Sequence, residues 1–104
     1  MQNNPTKRYE YIIDGNEFNS LDGFYELVDK TFSYPEFGAP CSGLDALRDF
    51  LRGGFSHHDY GQPIKITWKN SKKSKKDLGN KFNKIVNCIN SINDDGFDCE
   101  LILE

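Results

Sequence analysis

Three strand-like segments alternate with helix-like segments along this chain, and this alternation limits its possible folds more than any other feature. Strand-forming residues occupy residues 9–13, 63–68 and 97–103. The stretches between them are long enough for helical crossovers, which parallel neighbours require. The sequence therefore predicts an α/β fold with a three-stranded parallel sheet packed against helices, in the order β-α-α-β-α-β. We expect the last strand to be buried, because its end is almost continuously apolar.

Apolar residues at helical spacing mark three segments between those strands. Ser20 or Asp22 can cap the first helix, which Pro35 ends. The second helix lies within residues 43–54, a short stretch closed by glycines. The third is expected from residue 77 to residue 92, followed by a turn-like sequence. Both crossovers are therefore supplied with helices.

The 43–54 helix has an apolar arc and a charged arc. The apolar arc consists of Leu44, Ala46, Leu47, Phe50 and Leu51. On the opposite arc Asp45 and Asp49 stand four residues apart, so their carboxylates are neighbours that a cationic partner could bind. Arg48 and Arg52 each follow an aspartate by three residues, so the same charges could instead neutralise one another on a solvated face. Spacing alone leaves both interpretations open.

Five segments in a fixed order carry a resemblance to a known family. They are residues 13–15, 34–38, 44–53, 63–68 and 96–103. Together they resemble the barstar family of ribonuclease inhibitors, from about residue 9 to the C-terminus. The resemblance implies a protein inhibitor that covers the active site of a basic ribonuclease, and an immunity protein against a bacterial nuclease toxin. It also implies a monomer that forms a heterodimer with the nuclease and makes no direct contact with nucleic acid.

The resemblance also implies a set of partner-binding residues. By position, Asp49 resembles the family's central carboxylate that enters the nuclease phosphate site, and Asp45 its supporting acid. Glu36 and Phe37 lie in the loop that, in this family, completes the inhibitory face. The other expected contact residues are Gly43, Arg48, Arg52 and Gly53.

The loop before the central helix is about two residues longer than in barstar, which leaves the placement of Phe37 against the partner open. Two departures from the family pattern point to a different target nuclease or a different docking angle. Arg48 stands where the family usually has an aromatic or polar residue. Ser91 stands where barstar has another acidic contact.

Charge is unevenly distributed along the chain. The formal net charge is −3, but residues 1–64 hold 5 Lys and Arg against 10 Asp and Glu, whereas residues 65–104 hold 8 against 6. The acidic half contains the 43–54 helix, so its field would attract a basic protein and repel nucleic acid. Five of the lysines fall within residues 69–76, which we interpret as a solvated loop.

Composition and length predict a single domain in a reducing compartment. A chain of 104 residues with 37% hydrophobic content can bury one modest core, so we expect one domain over residues 9–104 and a flexible tail over residues 1–8. Cys41, Cys88 and Cys99 are an odd number without C-x-x-C spacing; we expect Cys88 and Cys99 to be small core residues. Apolar runs are too short to span a membrane and no signal segment is evident, so we expect a cytoplasmic protein with no membrane contact.

Two other functions are possible on the sequence. Asp45 and Asp49 could join His57 or His58 in a small metal-dependent hydrolase, although adjacent histidines rarely converge on one ion. The 69–76 run could bind phosphate or RNA, although no aromatic residues interleave the lysines to stack on bases. No nucleophile, phosphate-loop or dinucleotide motif is present. We therefore expect no enzymatic activity, no cofactor and no metal.

Overall fold

The computed structural model describes residues 8–33, 41–54 and 56–104. Its strands and helices are β1 (Tyr9–Asp14), α1 (Leu21–Phe32), α2 (Leu44–Arg52), β2 (Ile64–Lys69), α3 (Ser71–Leu78), α4 (Asn80–Ser91) and β3 (Cys99–Leu103). Single 3-10 turns follow β1 at Gly15–Glu17 and α4 at Ile92–Asp95.

The three strands form one parallel sheet in the order β1-β2-β3. Tyr9 of β1 pairs with Ile64 of β2, which pairs with Cys99 of β3, so the strands begin at the same level. Because neighbouring strands run in the same direction, the chain returns through α1 and α2 in one crossover and through α3 and α4 in the other. The predicted fold class is confirmed.

One face of the sheet carries the core. Alternate residues of β1 and β2 point into it and are almost fully buried: Tyr11, Ile13, Ile64, Ile66 and Trp68. The indole of Trp68 stacks on the ring of Phe24 from α1, with the centroids 5.3 Å apart. The opposite face is more open, since Ile12 is 56% exposed.

The expectation of a buried last strand is wrong. β3 lies at the edge of the sheet and pairs only with β2 among the described strands. Cys99 is buried, but the following residues are half-buried or exposed, and Leu103 is 46% exposed. A continuously apolar strand is buried on both sides only when other elements cover both faces of the sheet. Here the helices cover one face.

The interpretation of the lysine-rich run as a loop is also wrong, because most of it forms α3. Lysine is a good helix former, and Ser71, Ser74 and Leu78 fall on the buried side of the helix. The hydroxyl of Ser71 donates to the carbonyl of Glu104, and the hydroxyl of Ser74 accepts from the Trp68 indole N–H. Because two of the buried positions are serines, the spacing of apolar residues does not indicate this helix.

The helix expected over residues 77–92 is divided by Gly79. This glycine has φ +60 and lies between the end of α3 and the start of α4. α4 ends at Ser91, and the 3-10 turn that follows closes at Gly96, whose φ is +92. The predicted stop after residue 92 is therefore close to the observed one.

Arg8, just before β1, is held by two acidic side chains and a backbone carbonyl. Its guanidinium lies 2.7 Å from Asp98 and 3.5 Å from Glu100, and it donates to the carbonyl of Ile64. Arg8 thus bridges the starts of β2 and β3. Residues 1–7 lie outside the described part of the chain, so the extent of the tail stays a prediction. Within the described ranges, no helix is long and apolar enough to cross a membrane.

Candidate functional site

Helix α2 separates its apolar side chains from its acidic ones, as the two-arc pattern predicted. Leu47, Phe50 and Leu51 are at most 2% exposed and belong to the core. The side chains of Asp45 and Asp49 lie on the outer surface, with 101% and 61% exposure. The burial of the first set holds the helix in place and leaves the carboxylates facing solvent.

Glycines bound α2 at both ends. Gly43 caps the N-terminus through its carbonyl, which accepts the N–H of Leu47, and makes no side-chain cap. Gly53 ends the helix in the left-handed region with φ +106, and its N–H bonds to the carbonyl of Phe50. A Cβ on Gly53 would lie 2.5 Å from the Cα of Tyr60, so only glycine fits where the next loop crosses the helix end.

The charged residues of α2 pair within the helix. An Arg48 nitrogen lies 3.1 Å from an Asp45 carboxylate oxygen, and an Arg52 nitrogen lies 3.7 Å from Asp49. Arg52 also reaches Asp95, at 3.0 Å, in the 3-10 turn after α4. Both sequence interpretations of the arc therefore hold in part, because the acids are exposed and also partly neutralised.

Asp95 is a neighbour of the site that sequence reasoning missed. Residues 93–96 were interpreted only as a turn that ends a helix. The fold packs this turn against α2, and Asp95 and Asp49 come to share one arginine. The helical spacing of α2 carries no information about an acid more than 40 residues away in sequence, so only the tertiary structure reveals it.

The Arg52 side chain is fixed by several contacts. Its guanidinium carbon lies 5.7 Å from the centroid of the Phe97 ring, and its buried Nε has no hydrogen-bond partner among the described residues. Its two terminal nitrogens face Asp49 and Asp95. The guanidinium thus lies between two acids and an aromatic ring and links the end of α2 to the turn after α4.

His58 attaches the end of α2 to the sheet. Its Nε2 donates to the carbonyl of Leu51 at 2.9 Å, and its Nδ1 accepts from the hydroxyl of Tyr11 at 2.6 Å. His58 is 2% exposed, and burial lowers its imidazole pKa, against a smaller opposing effect of the bond to Leu51. Both ring nitrogens are engaged in holding the fold. In the described part of the chain, no three His, Cys, Asp or Glu residues lie close enough to hold a metal ion.

The comparison with protein families covers almost the whole chain. Residues 9–104 match the Barstar family, described as barstar (barnase inhibitor). The chain belongs to the barstar family. No individual curated protein gives a significant match. The helix that carries the resemblance in sequence is thus the helix whose outer side is acidic in the structure.

The other residues expected at the barstar-family binding surface divide into two groups. Arg48 and Arg52 lie on α2 beside the acids, and Gly43 and Gly53 lie at its two ends. Glu36 and Phe37 lie outside the described residues, so their expected role stays a prediction. Ser91 donates its hydroxyl to the carbonyl of Cys88 within α4.

The cysteines of this barstar-family member are buried thiols. Burial raises the pKa of Cys41 to about 11 and of Cys99 to about 12, and it also raises the pKa of Cys88. The Cys88 sulfur lies 3.7 Å from the carbonyl of Leu44, where α4 packs against α2. The expectation that Cys88 and Cys99 are small core residues is confirmed.

Proposed function

We propose that this protein inhibits a barnase-type ribonuclease by covering its active site with the outer surface of α2. The observation that carries this proposal is the exposed pair Asp45 and Asp49 on a helix anchored by its opposite side, in a chain of the barstar family. A ribonuclease must present Arg, Lys and His side chains to hold RNA phosphates. Carboxylates in the positions of those phosphates bind the same groups.

Asp49 is the central group in this mechanism and Asp45 supports it. Asp49 enters the phosphate site of the nuclease, and Gly43 and Gly53 mark the ends of the contacting helix. Glu36 and Phe37 complete the surface from the preceding loop. Arg48 and Arg52 also touch the partner and set which nuclease surfaces are compatible.

The internal ion pairs of α2 do not prevent this exchange of partners. Exposed pairs such as Asp49 with Arg52 are worth about 0.2 to 1 kcal/mol in water. A carboxylate enclosed against a cationic enzyme site is worth more, because no solvent screens the interaction. Arg52 lies 3.0 Å from Asp95 in the free chain, so it keeps an acidic neighbour when Asp49 turns to the enzyme. The complex therefore gains an enclosed charge pair and leaves Arg52 neutralised.

We further propose that the biological role is immunity. The inhibitor would remain in the bacterial cytoplasm as a monomer and form a heterodimer with a nuclease toxin made by the same or a sibling cell. It would bind the enzyme without contacting nucleic acid. Sequencing the neighbouring gene tests this role, since a secreted toxin with a nuclease domain next to it is the expected result.

Inhibition of RNA cleavage tests the proposed function directly. The purified chain is added to a panel of barnase-type ribonucleases that includes barnase, and cleavage of a fluorogenic RNA is followed. We expect stoichiometric inhibition of at least one member, and loss of it with Asp49→Asn, which keeps the size of the side chain. A folded chain that inhibits no member of the panel would refute the proposal.

The same preparation checks for enzymatic activity. We expect no turnover of RNA or of phosphoesters, with or without divalent metal, because both His58 ring nitrogens are engaged by Tyr11 and Leu51. Turnover that disappears in Asp45→Asn would instead favour a hydrolase. A Lys72→Gln chain, changed at an exposed residue of α3 outside the candidate hydrolase site, serves as a matched control for contaminating nuclease.

A further inference from the structure

Two aromatic residues beside the acids of α2, Tyr60 and Phe97, have no part in the mechanism above. Tyr60 has the highest exposure of the large hydrophobic side chains described, at 71%. Its ring meets the Phe97 ring edge-on, with the centroids 5.4 Å apart and an interplanar angle of 84°. Arg52 lies over the Phe97 ring at 5.7 Å. We call these three residues, Arg52, Tyr60 and Phe97, the aromatic rim.

The aromatic rim is continuous with the acidic surface of α2. Arg52 belongs to both, since it contacts Asp49 at 3.7 Å and Asp95 at 3.0 Å. A partner that covers Asp49 therefore lies next to Arg52, and Arg52 in turn borders Phe97 and Tyr60. The rim lies at the C-terminal end of the helix, on the side away from Gly43.

Backbone contacts hold Tyr60 in a set position relative to α2. The N–H of Gly61 donates to the carbonyl of Arg52 at 2.9 Å, and a Cβ on Gly53 would lie 2.5 Å from the Tyr60 Cα. The loop therefore packs directly on the end of the helix. Because the backbone at Tyr60 is already held in place, this part of the loop loses little conformational entropy on binding, which favours a contribution to affinity.

We propose that the aromatic rim is a second contact of the inhibitory surface, at which the Tyr60 ring receives a cationic side chain of the ribonuclease beside its active site. The inference rests on the proposed function. Tyrosine is enriched at the energetically important positions of protein interfaces. The ring face attracts cations, and the two carboxylates of Asp49 and Asp95 share the single guanidinium of Arg52, which leaves a net negative charge beside the ring. Arg52 already lies over Phe97, so Tyr60 is the ring of the rim available to the partner.

Substitutions at Tyr60 test the proposal with the ribonuclease that the wild-type chain inhibits in the panel described above. We expect Tyr60→Ala to weaken binding about tenfold, mainly through faster dissociation. Tyr60→Phe keeps the ring and should bind within about twofold of wild type. Tyr60→Leu keeps apolar area without a ring, and should resemble Tyr60→Ala.

Ile12→Ala is the matched control, because it also removes an exposed apolar side chain, 56% exposed on the open face of the sheet. It should bind within about twofold of wild type. Thermal melts establish that each variant is folded. Since Tyr60 is exposed, its substitution should leave the melting temperature nearly unchanged.

The outcomes separate this inference from the proposed function. If Tyr60→Ala binds like wild type while Asp49→Ala loses binding, the aromatic rim is not a contact and the inhibitor proposal stands. If Tyr60→Leu binds like Tyr60→Phe, the contact is apolar and the cationic partner is wrong. If the folded wild-type chain inhibits no ribonuclease of the panel, both proposals fail together.

Discussion

Helices α2 and α3 both carry charged outer surfaces, yet they are attached to the protein in opposite ways. α2 is held by large apolar side chains such as Phe50 and Leu51, and its outer charges pair with one another. α3 buries one apolar side chain, Leu78, and is otherwise held by polar contacts of Ser71, Ser74 and Lys73. Its remaining lysines face outward. On α2 the buried apolar residues that anchor the helix are separate from the exposed aspartates, although Arg52 of the charged surface also contacts Asp95 and Phe97. On α3 one charged residue, Lys73, also helps to anchor the helix.

The Lys73 ammonium group shows the difference most clearly. It donates to the carbonyls of Gly15 and Phe18 at 3.1 and 2.9 Å, and it lies 2.6 Å from Asp77. It thereby ties α3 to the turn after β1. Lys72, Lys75 and Lys76 are exposed. A charged run can thus contain one structural residue among solvated ones, which the sequence pattern does not distinguish.

Asp49→Ala should have the largest effect on the function of α2. We expect partner binding to weaken by about 2 to 5 kcal/mol, the usual cost of removing one side of an enclosed charge pair; the barnase–barstar complex is itself one of the systems from which this range is known. The free energy of unfolding should change by less than about 0.5 kcal/mol, because the carboxylate is exposed and its pair with Arg52 is long. Calorimetric titration with the ribonuclease that the wild-type chain inhibits measures the binding free energy. Thermal melts measure the change in stability.

Phe50→Ala is the control on the buried side of the same helix. Phe50 is 2% exposed, so truncation should lower the free energy of unfolding by roughly 3 to 5 kcal/mol. Normal binding by folded Asp49→Ala would mean that the inhibitory surface lies on another element. A small effect of Phe50→Ala on stability would contradict the division of α2 into two sides.

Lys73→Gln should destabilise the protein without affecting inhibition. Loss of the charged donor leaves the carbonyls of Gly15 and Phe18 without this partner, and we expect a decrease of about 1 kcal/mol in the free energy of unfolding. Urea unfolding measures it, with Lys72→Gln as the control for an exposed lysine of the same helix. Equal stability of the two variants would mean that Lys73 does not help to anchor α3.

Mild acid should weaken the attachment of α2 through His58. The pKa of this imidazole is lowered by burial, so the folded protein binds fewer protons than the unfolded chain below the ordinary pKa of 6.5. The contribution of neutral His58 to the free energy of unfolding is fully present above about pH 6.5, and it is lost as the pH falls toward the lowered pKa. Urea unfolding at about pH 7.5 and about pH 5.5 measures the loss.

His58→Gln is the control for this pH effect, because it removes the titrating ring. The variant should be less stable at neutral pH and show a flatter dependence over the same interval. An unchanged slope would assign the pH dependence to other groups.

Removing the exposed charges of α3 should have the smallest effect. We expect the triple change of Lys72, Lys75 and Lys76 to Gln to leave inhibition within a few-fold and the free energy of unfolding within about 0.5 kcal/mol. Lys73 is kept because it is structural. A collapse of inhibition in this folded variant would show that the basic helix takes part in binding.

Much of the fold could be predicted because its elements follow simple periodicities. The alternating strands and the arcs of α2 depend on apolar residues, whose spacing indicates burial directly. α3 was missed because two of its buried positions are serines, whose hydroxyls bond to Trp68 and Glu104. The edge position of β3 could not be predicted from its own residues, because it depends on strand order.

The candidate site was predictable where it follows one helix and not where it crosses the fold. Asp45, Asp49 and the two arginines are placed by helical spacing alone. Asp95 and Tyr60 reach the end of α2 from two other parts of the chain. Neither lies at a spacing that connects it to α2, so sequence patterns contain no signal for either contact.

The position of Trp68 has a consequence for spectroscopy. It is the single tryptophan of the chain, and its indole is fully buried, stacked on Phe24 and bonded to Ser74. A partner that covers the outer side of α2 cannot touch it. Tryptophan emission of the free protein, excited at a wavelength where tyrosine does not absorb, therefore reports the packing of the core, and it shows whether a variant that fails to bind has kept its fold.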